Sequence, residues 1–385
     1  MRILHTADWH IGKKLGRFDR AAESEAVLDE LVAVAQEGDV DLVIVAGDLF
    51  DRALPPFASM GLVLETLRRL ADTGAQVVAI AGNHDSADLF RVLRPYLEPV
   101  GIHLADKARR PEEGGVVRIP ARDGSHEAQV ALFPFLHEAQ AVDFLEAQDE
   151  WFKSYADRVR AINAHYAEWM DRNGRGRTTD ILVGHFMVDG AVPSGSERAL
   201  HIGDAFMATR ESLPSEVAYT ALGHIHQCQE APGAQTPSWF AGSLMQLDFG
   251  EAGQDKFVLM VEAPPGRPAR VERVPLSAGR RLLRIEGRLD ELRHRASELG
   301  DAILDVAVLT DGPVAGLADT VREFLPNALY VRAEYERAAE VASAREGMRL
   351  DELYAEYYRG TEGVDPKDDL LEAFRSLVSQ VGVDW

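Results

Sequence analysis

The chain has 385 residues, 46% of them hydrophobic and 27% charged, which is enough apolar material for more than one packed domain. Its 63 acidic and 41 basic side chains leave a net charge of −22, which argues against a freestanding, tight binder of duplex DNA unless positive charge is local or supplied by others. A single Cys228 excludes an internal disulfide, no apolar run approaches the length of a membrane span, and no signal-peptide h-region is visible, so a cytoplasmic protein without membrane contact is expected.

The first apolar run, Ile3–Ala7, ends on Asp8 and His10. Lys13, Lys14, Arg17 and Arg20 follow with only Asp19 among them; they form a candidate phosphate-contacting loop, or equally the solvated start of the next helix. Helical spacing over Glu23–Ala35 leads to a strand at Val40–Ala46 and then Asp48. A second helix opens at Pro55-Pro56 with apolar stripes on two faces, Phe57, Met60, Leu64 and Leu67 on one, Leu62, Val63 and Leu70 on the other. One face can cover a sheet; the other is core or meets a second copy of the chain. The run Val77–Ala81 then delivers Asn83, His84 and Asp85. This β-α-β-α-β opening predicts parallel strands with right-handed crossovers.

From Val116 the strands shorten, with a helical insertion at about Trp151–Asp171. Ile181–Val183 ends on His185, and Tyr219–Leu222 ends on His224 and His226. An α/β architecture of two sheets packed face to face, flanked by helices, fits this order. A connector at Pro264–Pro268 precedes a strand at Arg270–Leu276 that returns to the first domain. A small α+β unit follows over about Arg281–Glu336, reading strand, helix, strand, helix, strand. After an apolar-poor stretch at Ala338–Gly347 come two amphipathic helices, one near Arg349–Arg359 stopping at Gly360, one starting at Asp365-Pro366. Leu370, Leu371, Phe374 and Leu377 lie on the apolar stripe of the second helix, as anchors of a helix-in-groove contact with a partner.

Seven oxygen and imidazole donors at the carboxyl ends of five apolar runs are about what two divalent ions need once water fills the open positions. Residues two apart in a strand project to one side, so Asp8/His10 and His224/His226 each read as a pincer. Asp48, alone after its strand, is the candidate bridging carboxylate. In extended chain His84 points away from Asn83; it is expected to act on the substrate as an acid, with Asp85 holding its tautomer.

The series Asp8-Trp9-His10, Gly47-Asp48, Gly82-Asn83-His84-Asp85, Gly184-His185 and Gly223-His224-Ile225-His226 resembles the calcineurin-like metallophosphoesterases. The wider strings His5–Gly12 and Gly47–Asp51, together with Gly242-Ser243 and Asp248–Glu251, are similar to the SbcD family of bacterial nuclease subunits. That resemblance implies a metallophosphoesterase sandwich over 1–279, a capping domain over 280–337 that limits which DNA shapes reach the metals, and a linker with a two-helix partner-binding motif over 338–385. It implies two ions, manganese in the family, with Asp8, His10 and His226 on one and Asn83, His185 and His224 on the other, which splits the second pincer. It also implies an SbcC-like coiled-coil ATPase on the tail, a homodimer through N-terminal-domain helices, and a DNA exonuclease and endonuclease for break repair, recombination and replication. The alternative is a superfamily phosphodiesterase or phosphatase acting on a small molecule. Asp51 stands where archaeal and eukaryotic relatives carry a His that aids catalysis, so it is not counted among the catalytic side chains.

Overall fold

A computed structural model describes residues 1–136, 154–197, 207–335, 349–362 and 364–381. The stretch at Ala338–Gly347 lies outside the described residues. By its internal contacts the chain divides into two units. One comprises Met1–Ile285, Ser297–Asp305 and Asn327–Tyr330; the other comprises Glu286–Ala296, Val306–Pro326 and Val331–Trp385.

In the first unit β1 (Arg2–Thr6), α1 (Ala21–Glu37), β2 (Leu42–Val45), α2 (Phe57–Asp72), β3 (Gln76–Ile80), α3 (Ala87–Leu97) and β4 (Ile102–Ala105) alternate. Their strands pair in parallel in chain order. All four residues of β2 are buried, as expected of a parallel strand covered on both faces. β5 (Val116–Pro120) and β6 (Glu127–Phe133) start a second sheet. α4 (Tyr155–Gly174), capped by Ser154, leads to β7 (Thr179–His185), and two short strands follow, β8 (Met187–Val188) and β9 (Met207–Ala208). β10 (Tyr219–Gly223), β11 (Gln229–Glu230) and β12 (Ser238–Phe240) complete that sheet in the order β11-β12-β10-β7-β6-β5. β13 (Lys256–Glu262) and β14 (Arg270–Leu276) return antiparallel to the first sheet, giving the order β14-β13-β1-β2-β3-β4.

Side chains alternate faces along a strand, and the cores follow that alternation. Ile3, Leu42, Ile44, Val78 and Ile80 of the first sheet share one buried cluster with Val130, Ile181, Val183, Tyr219 and Ala221 of the second, so the sheets pack face to face. Leu4, Val43, Val45 and Val77 point the other way, into a cluster with Leu28 and Leu31 of α1 and Val63 and Leu67 of α2. Phe133 and Leu182 likewise meet Val159, Ile162 and Tyr166 of α4. The expected α/β sandwich is the observed one. Phe57 stays 91% exposed, so the stripe of α2 that runs from Phe57 to Leu67 is not covered along its whole length.

The small α+β element order holds as well: β15 (Leu282–Gly287), α5 (Leu289–Arg295), β16 (Ile303–Leu309), α6 (Leu317–Phe324) and β17 (Ala328–Glu334), with β16 central in a three-stranded sheet. In the tail, α7 (Leu350–Glu362) continues past Gly360, and α8 (Asp368–Val381) follows. Tyr354 and Phe374 stack at 4.2 Å with planes 8° apart, and Asp351 pairs with Arg375. No helix among the described residues is long and apolar enough to cross a membrane.

Candidate metal centre

The carboxyl ends of β1, β2 and β3 in one sheet and of β7 and β10 in the other carry the ligand-bearing turns. Four of the candidate ligands have left-handed backbones: Asp8 (φ 51°), His10 (46°), Asp48 (52°) and His224 (90°). Such conformations cost on the order of 1–3 kcal/mol each and persist only where neighbours over-determine them. Here the Asp8 and His10 amides donate to the Gly47 and Asp48 carbonyls at 3.0 Å, and the His224 amide donates to Asp8 Oδ1 at 3.0 Å. Gly47 (φ +97°) lets the sheets close, because a Cβ there would fall on the His185 ring.

The side chains converge in two groups. Asp8, His10 and His226 form one, with His10 Nε2 3.2 Å from His226 Nε2. In the other, Asn83 Oδ1 lies 3.0 Å from His185 Nε2 and 2.9 Å from His224 Nδ1. Asp48 Oδ2 stands between them, 3.6 Å from His10 Nε2 and 3.4 Å from His185 Nε2. His224 and His226 therefore do not pinch one point. The strand ends at Gly223, and the left-handed turn at His224 breaks the alternation on which that pincer rests.

His84 faces the same cluster. Its ring lies edge-on to His10 at 4.5 Å, its Nε2 is 4.0 Å from Asp48 Oδ2, and its Nδ1 is fixed by the Asp51 carbonyl at 2.8 Å. One expectation is corrected here. Asp85 does not hold the His84 tautomer, because its carboxylate accepts from the Gly82, Leu49 and Phe50 amides at 3.0, 3.2 and 3.0 Å. Asp85 ties the Asn83 turn to the Asp48 turn.

Arg20 is a further correction. It is 1% exposed, donates to the Gln246 carbonyl and pairs with Glu23 at 2.7 Å, so it offers nothing to a phosphate. Lys14 and Arg17 are exposed, although Arg17 also donates to the Ala328 carbonyl at 3.2 Å. Lys13 is half-buried, 3.5 Å from Asp51.

Several residues at the site carry no metal-ligand signature in the sequence. Phe135 stacks on His224 at 6.1 Å and meets His185 edge-on at 6.3 Å. Ser196, Glu197 and Glu251 hold His226, and the sequence signal for the last is only its place in the segment Asp248–Glu251.

The donor set fits divalent cations. Burial pushes the Asp8 carboxyl up to about 7 against the pull of His185 and His226, and it pushes Asp85 to about 7 with the help of Asp48's charge. Burial opposes charge on His185, yet Asp48 beside it raises that ring to about 9. Converging buried lone pairs of mixed oxygen and imidazole type are what two hard-to-borderline cations neutralise. Asp8, His10 and His226 would hold one ion, Asn83, His185 and His224 the other, with Asp48 on both. His185 Nδ1 donates to the Ala46 carbonyl at 2.7 Å, which leaves Nε2 facing the site, where a cation would displace its proton.

The family model of the calcineurin-like phosphoesterases matches residues 1–228. The chain belongs to this family and is a phosphodiester-hydrolysing enzyme with a dimetal site. Within the family it groups with the SbcD proteins, those named for their place in the nuclease SbcCD. It is 31% identical to the SbcD protein of Bacillus subtilis (strain 168), covering 99% of this chain and 98% of the relative. It is 30% identical to that of Escherichia coli (strain K12), over 92% and 91%, and 31% identical to that of Rhodobacter capsulatus, over 85% and 85%.

Proposed function

We propose that this chain is the nuclease subunit of a DNA break-processing complex, acting on duplex ends as an exonuclease and on single strands and hairpins as an endonuclease. The observation that carries the reading is Asp48 standing within 3.6 Å of His10 and 3.4 Å of His185, between two groups of donors. Relatives named as nuclease subunits along nearly the whole chain support DNA as the substrate.

Bound divalent ions, manganese by family resemblance, would polarise the phosphoryl group and lower the pKa of the attacking water. Asp48 would set their separation. His84, oriented by the bond between its Nδ1 and the Asp51 carbonyl and edge-on to His10, would stabilise charge or protonate the leaving oxygen. Lys13, Lys14 and Arg17 would meet the DNA backbone. Residues 280–337 would act as the capping module, α7 and α8 would dock an SbcC-like coiled-coil ATPase, and the exposed end of α2 would join two copies, all in the cytoplasm in service of repair, recombination and replication.

The test is purified protein on 3′-labelled duplex and hairpin DNA, with manganese and with EDTA. Cleavage only with metal is expected. Intact DNA together with hydrolysis of bis-p-nitrophenyl phosphate would replace this reading with a small-molecule phosphodiesterase.

A further inference from the structure

His226 depends on side chains, not backbone, for its orientation. Its Nδ1 lies 2.6 Å from Ser196 Oγ and 3.0 Å from Glu251 Oε1, and Ser196 Oγ donates to the same Glu251 oxygen. A serine hydroxyl has one proton, and here Glu251 takes it. Ser196 can then only accept from His226, which makes Nδ1 the protonated nitrogen and turns the Nε2 lone pair toward His10 and Asp8.

Glu251 is fully buried. Its second oxygen accepts from Ser243 Oγ at 2.8 Å and the Leu247 amide at 3.2 Å and pairs with Lys256 Nζ at 2.5 Å. Lys256 also donates to the His226 carbonyl at 3.1 Å and to Ser243 Oγ at 2.9 Å. The carboxylate is thus clamped at one end and presented to His226 at the other. A buried carboxylate–lysine pair is weak evidence of stabilisation by itself, since apolar residues often do as well. A carboxylate behind a ligating imidazole has a defined use: it fixes the tautomer and raises ligand basicity.

We propose that Glu251 is the positioning residue for the Asp8/His10/His226 ion, working through His226 with Lys256 as its anchor. The proposal rests on the reading of His226 as a ligand. Its assay is manganese binding to the full chain by titration calorimetry and elemental analysis, with melting in EDTA as the measure of fold.

Two variants separate positioning from packing. Glu251→Asp keeps the charge that Lys256 needs but is one methylene short of spanning both Lys256 and His226. Glu251→Gln with Lys256→Met gives up the ion pair yet leaves an acceptor oxygen beside His226. Positioning predicts that Glu251→Asp weakens one of the two ions by about 10–100-fold, that the double variant weakens it less, and that the other ion is unchanged in both. If Glu251 serves only packing, the order reverses, with affinity following the melting temperature, and the proposal is overturned. Wild-type loading in both variants overturns it too. His226→Ala supplies the remaining distinction. If it loses one ion while Glu251→Asp keeps both, only this proposal falls; if it keeps both, the ligand reading falls and takes the proposal with it.

Discussion

Asp48 and His185 approach each other from different sheets, Oδ2 to Nε2, at 3.4 Å. One lies just beyond β2 and the other at the last position of β7, so the contact measures how closely the two layers meet at their carboxyl ends. Gly47 makes room for it, and the Ala46 carbonyl orients the imidazole. The centre is a property of the seam between sheets.

Asp48→Ala is therefore expected to leave fewer than two ions per chain by elemental analysis and to abolish cleavage. Because ions that bind only the folded state stabilise it by about 2.7 kcal/mol at one hundred times Kd, the rise in melting temperature on adding manganese should shrink as well. Two ions retained per chain would rule out the bridging assignment.

His84→Gln should behave differently. The ring stands at the edge of the cluster, tied to the Asp51 carbonyl and 4.0 Å from Asp48. Its loss should cost on the order of 10²–10⁴ in rate while metal content stays near two per chain. Loss of an ion would make His84 a ligand; an unchanged rate would remove it from the chemistry.

His5 makes the fold acid-sensitive. It is fully buried against the Tyr219 hydroxyl at 2.8 Å, and burial lowers its pKa from 6.5 to about 3. The unfolded chain binds a proton near 6.5 that the native state refuses until about 3. Its contribution is whole above 6.5 and drains away as pH falls toward 3, at up to about 1.4 kcal/mol per pH unit. Urea unfolding of the metal-free protein between pH 6 and 4 should lose less stability per unit in His5→Phe than in wild type. Parallel profiles would remove His5 as the source.

Leu377 tests the tail. It is 60% exposed, whereas Phe374 is stacked on Tyr354 within the helix pair and is only half available to a partner. If α8 docks the proposed coiled-coil ATPase, Leu377→Asp should abolish co-purification with it and leave metal-dependent nicking of single strands intact. Undiminished complex formation would move the docking site elsewhere. A charge at Phe374 would be a poorer test, since it would break the Tyr354 stack as well.

Much of this was legible from local pattern. Runs such as Leu42–Val45 are apolar throughout because both faces are covered, and the polar residues beyond them stand out by contrast. What stayed hidden was long-range. Arg20 sits in a basic run that reads as solvated, yet it reaches a carbonyl 226 residues away. Asp85 follows His84 so closely that pairing them is natural, but three backbone amides satisfy it first. Glu251 lies 25 residues beyond the histidine it touches, and no spacing rule connects them.

The split of donors between sheets also bears on when the protein can cut. Asp8, Asp48 and Asn83 leave the ribosome early, whereas His185, His224 and His226 follow roughly a hundred residues and more later, on strands that must first pair with one another. A nascent or prematurely terminated chain ending before His226 would lack part of the proposed ligand set, however well its first sheet has formed. Hydrolytic competence is thereby expected only once the second sheet is in place, and fragments that stop before His226 are expected to be inactive.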